Sequence, residues 1–460
     1  MTAKLNKMDL LKWGITLAIM LILFLIPETG FYTWNVKMFF VITMGGLCCI
    51  AMDMLPLTLI GLLLPFLWIL FNVAPAAVVF SPWTNLALYT MLGALIFGAG
   101  MGDSGLLKRI SFWMMTKING SWYKLLLGFF VTGVFLSLIT FAGGYVLFIA
   151  LVASFCISVD IMKTKKAVVL ALVCMVASIA SKAFIYCPGN YSIILGAAQS
   201  VLPGFTINFV QAIAANWPMM FVALAIVFIV AKFFYKDDTP LEGRAYFEER
   251  LAEMGPITRK EKAAAIVLII MIALLLVTPF MGQDPSLIFC LVPLLLFIPG
   301  IDAADPKCLN QVDYGMVFFG GCCIGIGAVS SYLGLGVVLG NILTPLFNSG
   351  NTFMIFGLLF LVIFVLNFLL TPVAIYGVLS VPLFTICLGL GLDPSTFVFA
   401  MMHSAELVLF PYEYLPYLVL FSFGMVTMKD FIKVNIIRTI IYFAGIMLIL
   451  VPYWHLIGLL

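Results

Sequence analysis

Apolar runs long enough to cross a bilayer recur from one end of this chain to the other, at 12–27, 55–72, 217–233, 264–280 and 434–453 among others. About 17 to 25 such residues, wound as a helix, span roughly 30 Å of hydrocarbon. Lipid offers the backbone no hydrogen bonds, so these runs must satisfy their own and fold as helices. With 64% hydrophobic and 9% charged residues in 460, the chain has too little polar surface to be soluble at this size. The fold class that follows is an all-α polytopic membrane protein. Lys4, Lys7 and Lys12 precede the first run as in a secretory leader, but the run is too long and no small-residue cleavage site follows. Residues 1–34 are therefore expected to hold a first membrane helix.

Charge orients the chain. Threading the spans in order from an inside N-terminus to an outside C-terminus leaves every one of the 23 Lys/Arg except Lys37 and Lys182 inside or at the inner boundary. That is the asymmetry of a multi-pass protein of the cytoplasmic (inner) membrane. The net charge of +3 gives no reason to expect nucleic acid as a partner. Cysteines such as those in "LCCIA" and "GGCCIG" lie in apolar runs and read as small packing residues.

The threading works only if two segments enter and return without crossing. Residues 122–156 carry "TFAGG" at the tip of such a hairpin, and 353–382 carry "TPVA". Each is followed by a broken helix, 166–200 interrupted at "CPGN" and 396–427 interrupted at "FPYEYLPY" (410–417). Amphipathic stretches at 103–118 and 332–347 precede the hairpins and read as surface helices. The same order thus occurs twice, in 35–233 and 264–460, starting from opposite sides. Residues 234–263 form a charged cytosolic linker with a short helix expected at 241–254. Paired interrupted segments in an inverted repeat mark the binding site of a secondary transporter.

Lys182 lies about 24 Å along its helix from the inside lysines 163, 165 and 166, by the rise of about 1.5 Å per residue. An ionisable group at that depth is costly and faces a cavity or a partner. Beside it Pro188 removes a backbone donor and Gly189 permits a turn, so a second half-helix is expected from Asn190 or Tyr191 with free N–H groups for an anion. The second break supplies His403, Glu406, Pro411 and Glu413; His403 and Glu406 are three residues apart and so share a face. A carboxylate there either pairs with Lys182 or carries a coupling proton. Asp53 and Asp103 are expected as caps or interface charges, and Trp454 with His455 as part of an interfacial aromatic belt. No phosphate-binding Gly-rich loop and no zincin motif is present, so the chain is not expected to be an enzyme or to use a metal or organic cofactor.

In "GALIFGAGMGDSGLLKRIS" (93–111), "CPGN" (187–190) and "FPYEYLPYLVLFSFGMVTMKDFIKVN" (410–435) the chain resembles the divalent-anion:sodium symporter family of the wider ion-transporter superfamily. The resemblance spans roughly 35–460 and implies about eleven membrane helices, two opposed hairpins, scaffold and transport domains, a homodimer and an elevator movement of the anion. It also implies Ser-Asn-Thr motifs at both tips and sodium ions between tip and break. The aligned residues here are Leu138, Ile139 and Thr140, then Pro372, Val373 and Ala374 beside Thr371, while the breaks read Pro188-Gly189-Asn190 and Leu415-Pro416-Tyr417. A sodium ion, if used, belongs near Thr140 and Asn190. Hard cations need several oxygen ligands, and both tips have lost them. Lys182 then reads as a built-in cation in sodium's place, making a sodium-independent carrier of a small organic anion, di- or tricarboxylate-like or related. The protein would run as an exchanger, a uniporter or a proton-coupled carrier through His403, Glu406 or Glu413. Tyr376, Tyr412, Tyr414 and Tyr417 suggest a substrate with one strong anionic end. Sodium symport through unconventional sites and cation/proton antiport remain open. A membrane-embedded enzyme would have only His403 and Glu406 to build on.

Overall fold

The computed structural model describes residues 7–30, 32–52, 54–117, 121–236, 244–281, 286–335, 351–368 and 371–460. Asp53 and most of the surface helix expected at 332–347 lie outside them. Every regular element among the described residues is helical. In chain order these are α1 (Lys7–Leu25), α2 (Trp34–Ala51), α3 (Leu57–Leu70), α4 (Ala76–Val79), α5 (Leu86–Asp103), α6 (Leu106–Thr116), α7 (Trp122–Ile139), α8 (Tyr145–Ser158), α9 (Lys165–Cys174), α10 (Pro188–Ala198) and α11 (Phe209–Asn216). There follow α12 (Pro218–Ile229), α13 (Arg244–Glu253), α14 (Arg259–Met281), α15 (Ser286–Leu291), α16 (Tyr314–Tyr332), α17 (Thr352–Asn367), α18 (Pro372–Gly389), α19 (Pro394–Ala405), α20 (Leu415–Ser422), α21 (Met428–Gly445) and α22 (Val451–Leu456). By length and apolarity 5 helices among the described residues can each cross a membrane, or 7 spans if each of two bent pairs counts as one. The chain is a multi-pass membrane protein.

Packing groups the chain into two units, one of Met1–Leu88, Asn190–Thr206 and Asp313–Met401, the other of Tyr89–Gly189, Ile207–Val312 and Met402–Leu460. In the first, α3 and α18 both pack on α16 through small residues. A Cβ on Gly61 would stand 2.7 Å from the Phe318 carbonyl carbon, and one on Gly377 2.6 Å from Cys323 Cβ, so glycine is what lets these helices close up. Trp68, fully buried, donates its indole N–H to Thr43 Oγ1 at 3.3 Å. Helices α17 and α18 fill the segment expected as the second hairpin, and Thr371 caps α18 by accepting the Ala374 N–H at 3.4 Å.

In the second unit α5 turns by 65° into α6 at Gly105, whose φ of +80° suits glycine alone among common residues. Helix α6 buries Leu106, Leu107, Phe112 and Met115 and leaves Lys108 and Trp113 outside, as an interfacial helix would. Helices α7 and α8 pack as a hairpin with its turn at 140–144. The linker helix, expected at 241–254, is α13 at Arg244–Glu253. Its Phe247 is fully buried among Phe112, Phe129 and Phe155, at centroid distances of 6.4, 5.8 and 5.3 Å.

Just beyond α13 the chain is clamped to α6 by Arg109. Its Nε lies 2.7 Å from Glu261 Oε1, Nη1 donates to Gly255 O at 2.8 Å, and Nη2 to Met254 O and Pro256 O, each at 3.2 Å. Burial by itself raises the Glu261 carboxyl, but Arg109 and the Thr258 N–H and hydroxyl outweigh it and hold it below the usual carboxylate value. Trp454 corrects the belt expectation: it is fully buried and donates its N–H to Ala215 O at 2.9 Å, while His455 is exposed.

Candidate functional site

Helix α9 starts under a Thr164 cap, whose Oγ1 accepts the Ala167 N–H at 3.4 Å. It keeps α geometry to Cys174, widens to a π turn over Met175–Ile179, and tightens to a 3-10 turn over Ala180–Ala183. Single π turns inside helices tend to sit at functional sites because they displace the side chains that follow. Here the turn that follows carries Lys182. Ser137 of the hairpin donates to Ala177 O at 3.2 Å, holding α7 against the widened turn. The helix resumes at Pro188, two residues earlier than expected. Proline's missing N–H costs nothing in a first turn, so the ring starts α10 rather than interrupting it.

Helix α19 ends at Ala405 and α20 begins at Leu415, so the second break covers 406–414, not 410–417. Glu406 is the first residue beyond α19. The face expected to be shared with His403 therefore extends one residue past the helix whose spacing defines it. The loosened backbone is held by two side chains. Arg438 of α21 donates from Nη2 to Glu406 O at 2.7 Å and Val408 O at 3.0 Å, and from Nη1 to the Tyr417 hydroxyl. Glu413 accepts the N–H groups of Leu409 at 3.1 Å and Phe410 at 3.0 Å, within a 3-10 turn that Pro411 opens.

Lys182 and Glu406 meet. Nζ lies 2.7 Å from Oε1, with the lysine 4% and the glutamate 2% exposed, and Nζ sits 3.6 Å from the centroid of the Tyr414 ring. The ring face adds a cation–π attraction, stronger where water is excluded. Yet neither Nζ nor either Glu406 oxygen makes a hydrogen bond of good geometry among the described residues. A buried ion pair normally needs such bonds to offset its desolvation. Lys182 and Arg438 balance Glu406 and Glu413 in formal charge, so this region has no built-in excess of either sign.

The other candidates are placed elsewhere. His403, fully buried, forms its own cluster: Nδ1 is 2.8 Å from the Tyr442 hydroxyl and Nε2 2.9 Å from Asn216 Oδ1. Asn216 Nδ2 donates to Ala212 O at 2.8 Å, which leaves Oδ1 to accept from His403 Nε2–H and Nδ1 to accept from the tyrosine. Thr140 Oγ1 donates to Leu136 O at 2.7 Å and accepts the Gly144 N–H at 2.9 Å, so it shapes the hairpin turn. The next residues, Phe141 and Ala142, hold φ of 52° and 66°, a conformation that costs a non-glycine residue about 1–2 kcal/mol. Phe141 offsets this by burying its ring against Phe97, Phe209 and Phe289.

A Cβ on Gly189 would meet nothing within 4 Å among the described residues, which leave space beside the first turn of α10. Asn190, Thr371 and Ala374 belong to the other unit. There the 7% exposed Asn190 has no partner for its Nδ2 among the described residues, and Ala374 is fully buried. The backbone of Tyr412 lies in the 411–413 turn, and its side chain is outside the described part. Arg438, Asn216 and Tyr442 were not anticipated. Lys182 is also not the only buried cation, since Arg438 is 2% and Lys166 1% exposed. Arg438 stands ten residues into α21, about 15 Å from its start, a depth the sequence did display. No group of three metal-binding side chains occurs among the described residues.

Known proteins bear on this arrangement. The family model described as sodium:sulfate symporter transmembrane region matches residues 7–460. No curated protein matches the chain. Among solved structures, the YdaH transporter of Alcanivorax borkumensis, reported to have an unusual topology, aligns with a TM-score of 0.58 at 16% identity over 82% of this chain and 86% of that one. MtrF of Neisseria gonorrhoeae, assigned to a class of antimetabolite efflux pumps, aligns with a TM-score of 0.57 at 14% identity over 80% and 82%. At such identities the likeness is one of fold.

Proposed function

The chain belongs to the sodium:sulfate symporter family and is a transporter rather than an enzyme; from that premise we propose that it carries a small organic anion across the cytoplasmic membrane without sodium, through the Lys182–Glu406 pair. One observation carries the proposal: two opposite charges, buried at the breaks of two helices, touch each other with their remaining hydrogen-bonding positions open. Glu406 acts as an internal stand-in for the substrate's acid group. When a proton neutralises Glu406, Lys182 is released to receive the incoming anion, and the space beside Gly189 at the start of α10 adds backbone N–H groups. When the substrate leaves, Glu406 gives up its proton and reclaims the lysine. The cycle couples anion to proton, or runs as exchange of one anion for another. Arg438 and Glu413 keep the second break in shape throughout.

The family's usual arrangement extends this reading: two opposed hairpin and broken-helix arrays, in 35–233 and 264–460, moving as an elevator in a homodimer with the N-terminus cytoplasmic. A second reading is favoured by the family description, which names sodium as the coupling ion. The test is uptake of labelled succinate, citrate and sulfate into vesicles of purified protein, with sodium or potassium outside and an imposed pH gradient. The expected result is uptake in potassium driven by an inward proton gradient, at least tenfold lower in Lys182→Ala. Glu406→Gln should keep anion exchange but lose the proton drive. Strict sodium dependence at every pH favours the second reading. A pH change driven by cations without any organic anion would mean cation/proton antiport.

A further inference from the structure

Away from the breaks, helices α6 and α7 enclose a groove of about 630 Å³, lined by Trp113, Met114 and Lys117 on one side and by Lys124, Leu127, Gly128, Val131 and Thr132 on the other. The α7 positions 124, 127, 128 and 131 follow the i, i+3, i+4, i+7 rule and form a single stripe. Its polar end carries two ammonium groups, Lys117 and Lys124, both exposed. Lys117 lies 5.5 Å from the exposed Trp113 ring. From Lys124 to Val131 the stripe runs about 10 Å along the helix axis and is purely apolar after its first residue. Leu127 and Val131 are exposed while Gly128 and Thr132 are buried, so the glycine deepens the floor between two raised apolar walls. Among the described residues no carboxylate lines the groove, though Lys117 also borders a neighbouring hollow with Glu248.

We propose that this groove binds one anionic phospholipid, with its phosphodiester between Lys117 and Lys124 and an acyl chain along Leu127, Gly128 and Val131. The chemistry selects the occupant. Two exposed cations attract a headgroup of net negative charge and repel the amine of a zwitterionic lipid. Indole rings favour the headgroup level, and an apolar trough of this length accepts several methylenes. A soluble anion would use the lysines and leave the trough empty. The site is independent of the transport proposal, since no residue in it belongs to either break.

Titration of purified protein in mixed micelles with phosphatidylglycerol brominated on its acyl chain tests this through quenching of Trp113. The Trp113→Phe variant defines the part of the signal that comes from the groove. Phosphatidylglycerol should quench at least tenfold more strongly than brominated phosphatidylcholine. Each lysine near a membrane surface contributes a factor of about five, so Lys117→Gln/Lys124→Gln should weaken binding by about 25-fold. Lys108→Gln, on the same helix but outside the groove, should not. Val131→Phe, which fills the trough without touching charge or adding an indole, should weaken it as well; gel filtration checks that each variant is folded. Equal quenching by both lipids overturns the proposal. So does competition by free glycerol phosphate as strong as by the lipid, or a groove that lipid enters only when the protein is monomeric because a second copy otherwise covers it.

Discussion

Two ion pairs in the same unit have the same N–O separation, 2.7 Å, and opposite surroundings. Arg109 and Glu261 are hydrogen-bonded out: the guanidinium reaches three backbone carbonyls besides the carboxylate, and Glu261 Oε2 accepts the Thr258 N–H at 2.6 Å. Among the described residues the side chains of Lys182 and Glu406 contact each other and the face of Tyr414. Contact distance therefore says little about role. The first pair is a clamp whose every bond holds the linker in place. The second lacks such bonds among the described residues, and on this difference the transport proposal rests.

Removing single partners tests the contrast most severely. Glu406→Leu strands the Lys182 ammonium away from water, which should cost about 3–5 kcal/mol. Lys182→Met/Glu406→Leu should recover most of that while abolishing transport, because a bare pair does little for stability that apolar packing cannot do. Thermal unfolding in detergent measures both. The clamp should respond differently. Arg109→Ala should cost about 2 kcal/mol, and Arg109→Met/Glu261→Leu should not recover it, because the tie between α6 and residues 254–256 stays broken. Full recovery by that double change would erase the distinction.

The smallest effect is a pH dependence. The Glu261 carboxyl lies lower in the folded protein than its ordinary value of 4.5. Its stabilisation is then fully present above about that pH and fades as the pH falls through the lower, folded value. The stability difference between wild type and Glu261→Gln should accordingly be constant near neutrality and shrink below about pH 4.5.

Lys182 and the first break were legible because their signals are local: one charge in an apolar run, then Pro188 and Gly189 within seven residues. The second break was legible only in outline. Its limits depend on Arg438 and Glu413 gathering stray carbonyls and amides, and Arg438 reaches it from another helix, which no pattern in 396–427 announces. The meeting of Lys182 with a carboxylate followed from the cost of leaving either alone, but which carboxylate did not. Glu413 was an equal candidate until its oxygens proved to be committed to Leu409 and Phe410. His403 keeps partners of its own, Tyr442 and Asn216, which lie on other helices and leave no mark in the sequence around it. The left-handed turn at Phe141 and Ala142 had no glycine to betray it; an aromatic pocket built from three distant segments holds it.

Helix α13 lies in the charged linker, yet its Phe247 is sealed between rings of α6, α7 and α8. A part of the protein reachable from water is thereby bolted to the foot of the oily hairpin. A fluorophore on exposed Glu249 would ride with whatever that hairpin does, offering a handle on buried motion without a single change inside the membrane. A binding protein gripping the same helix would act as a brake.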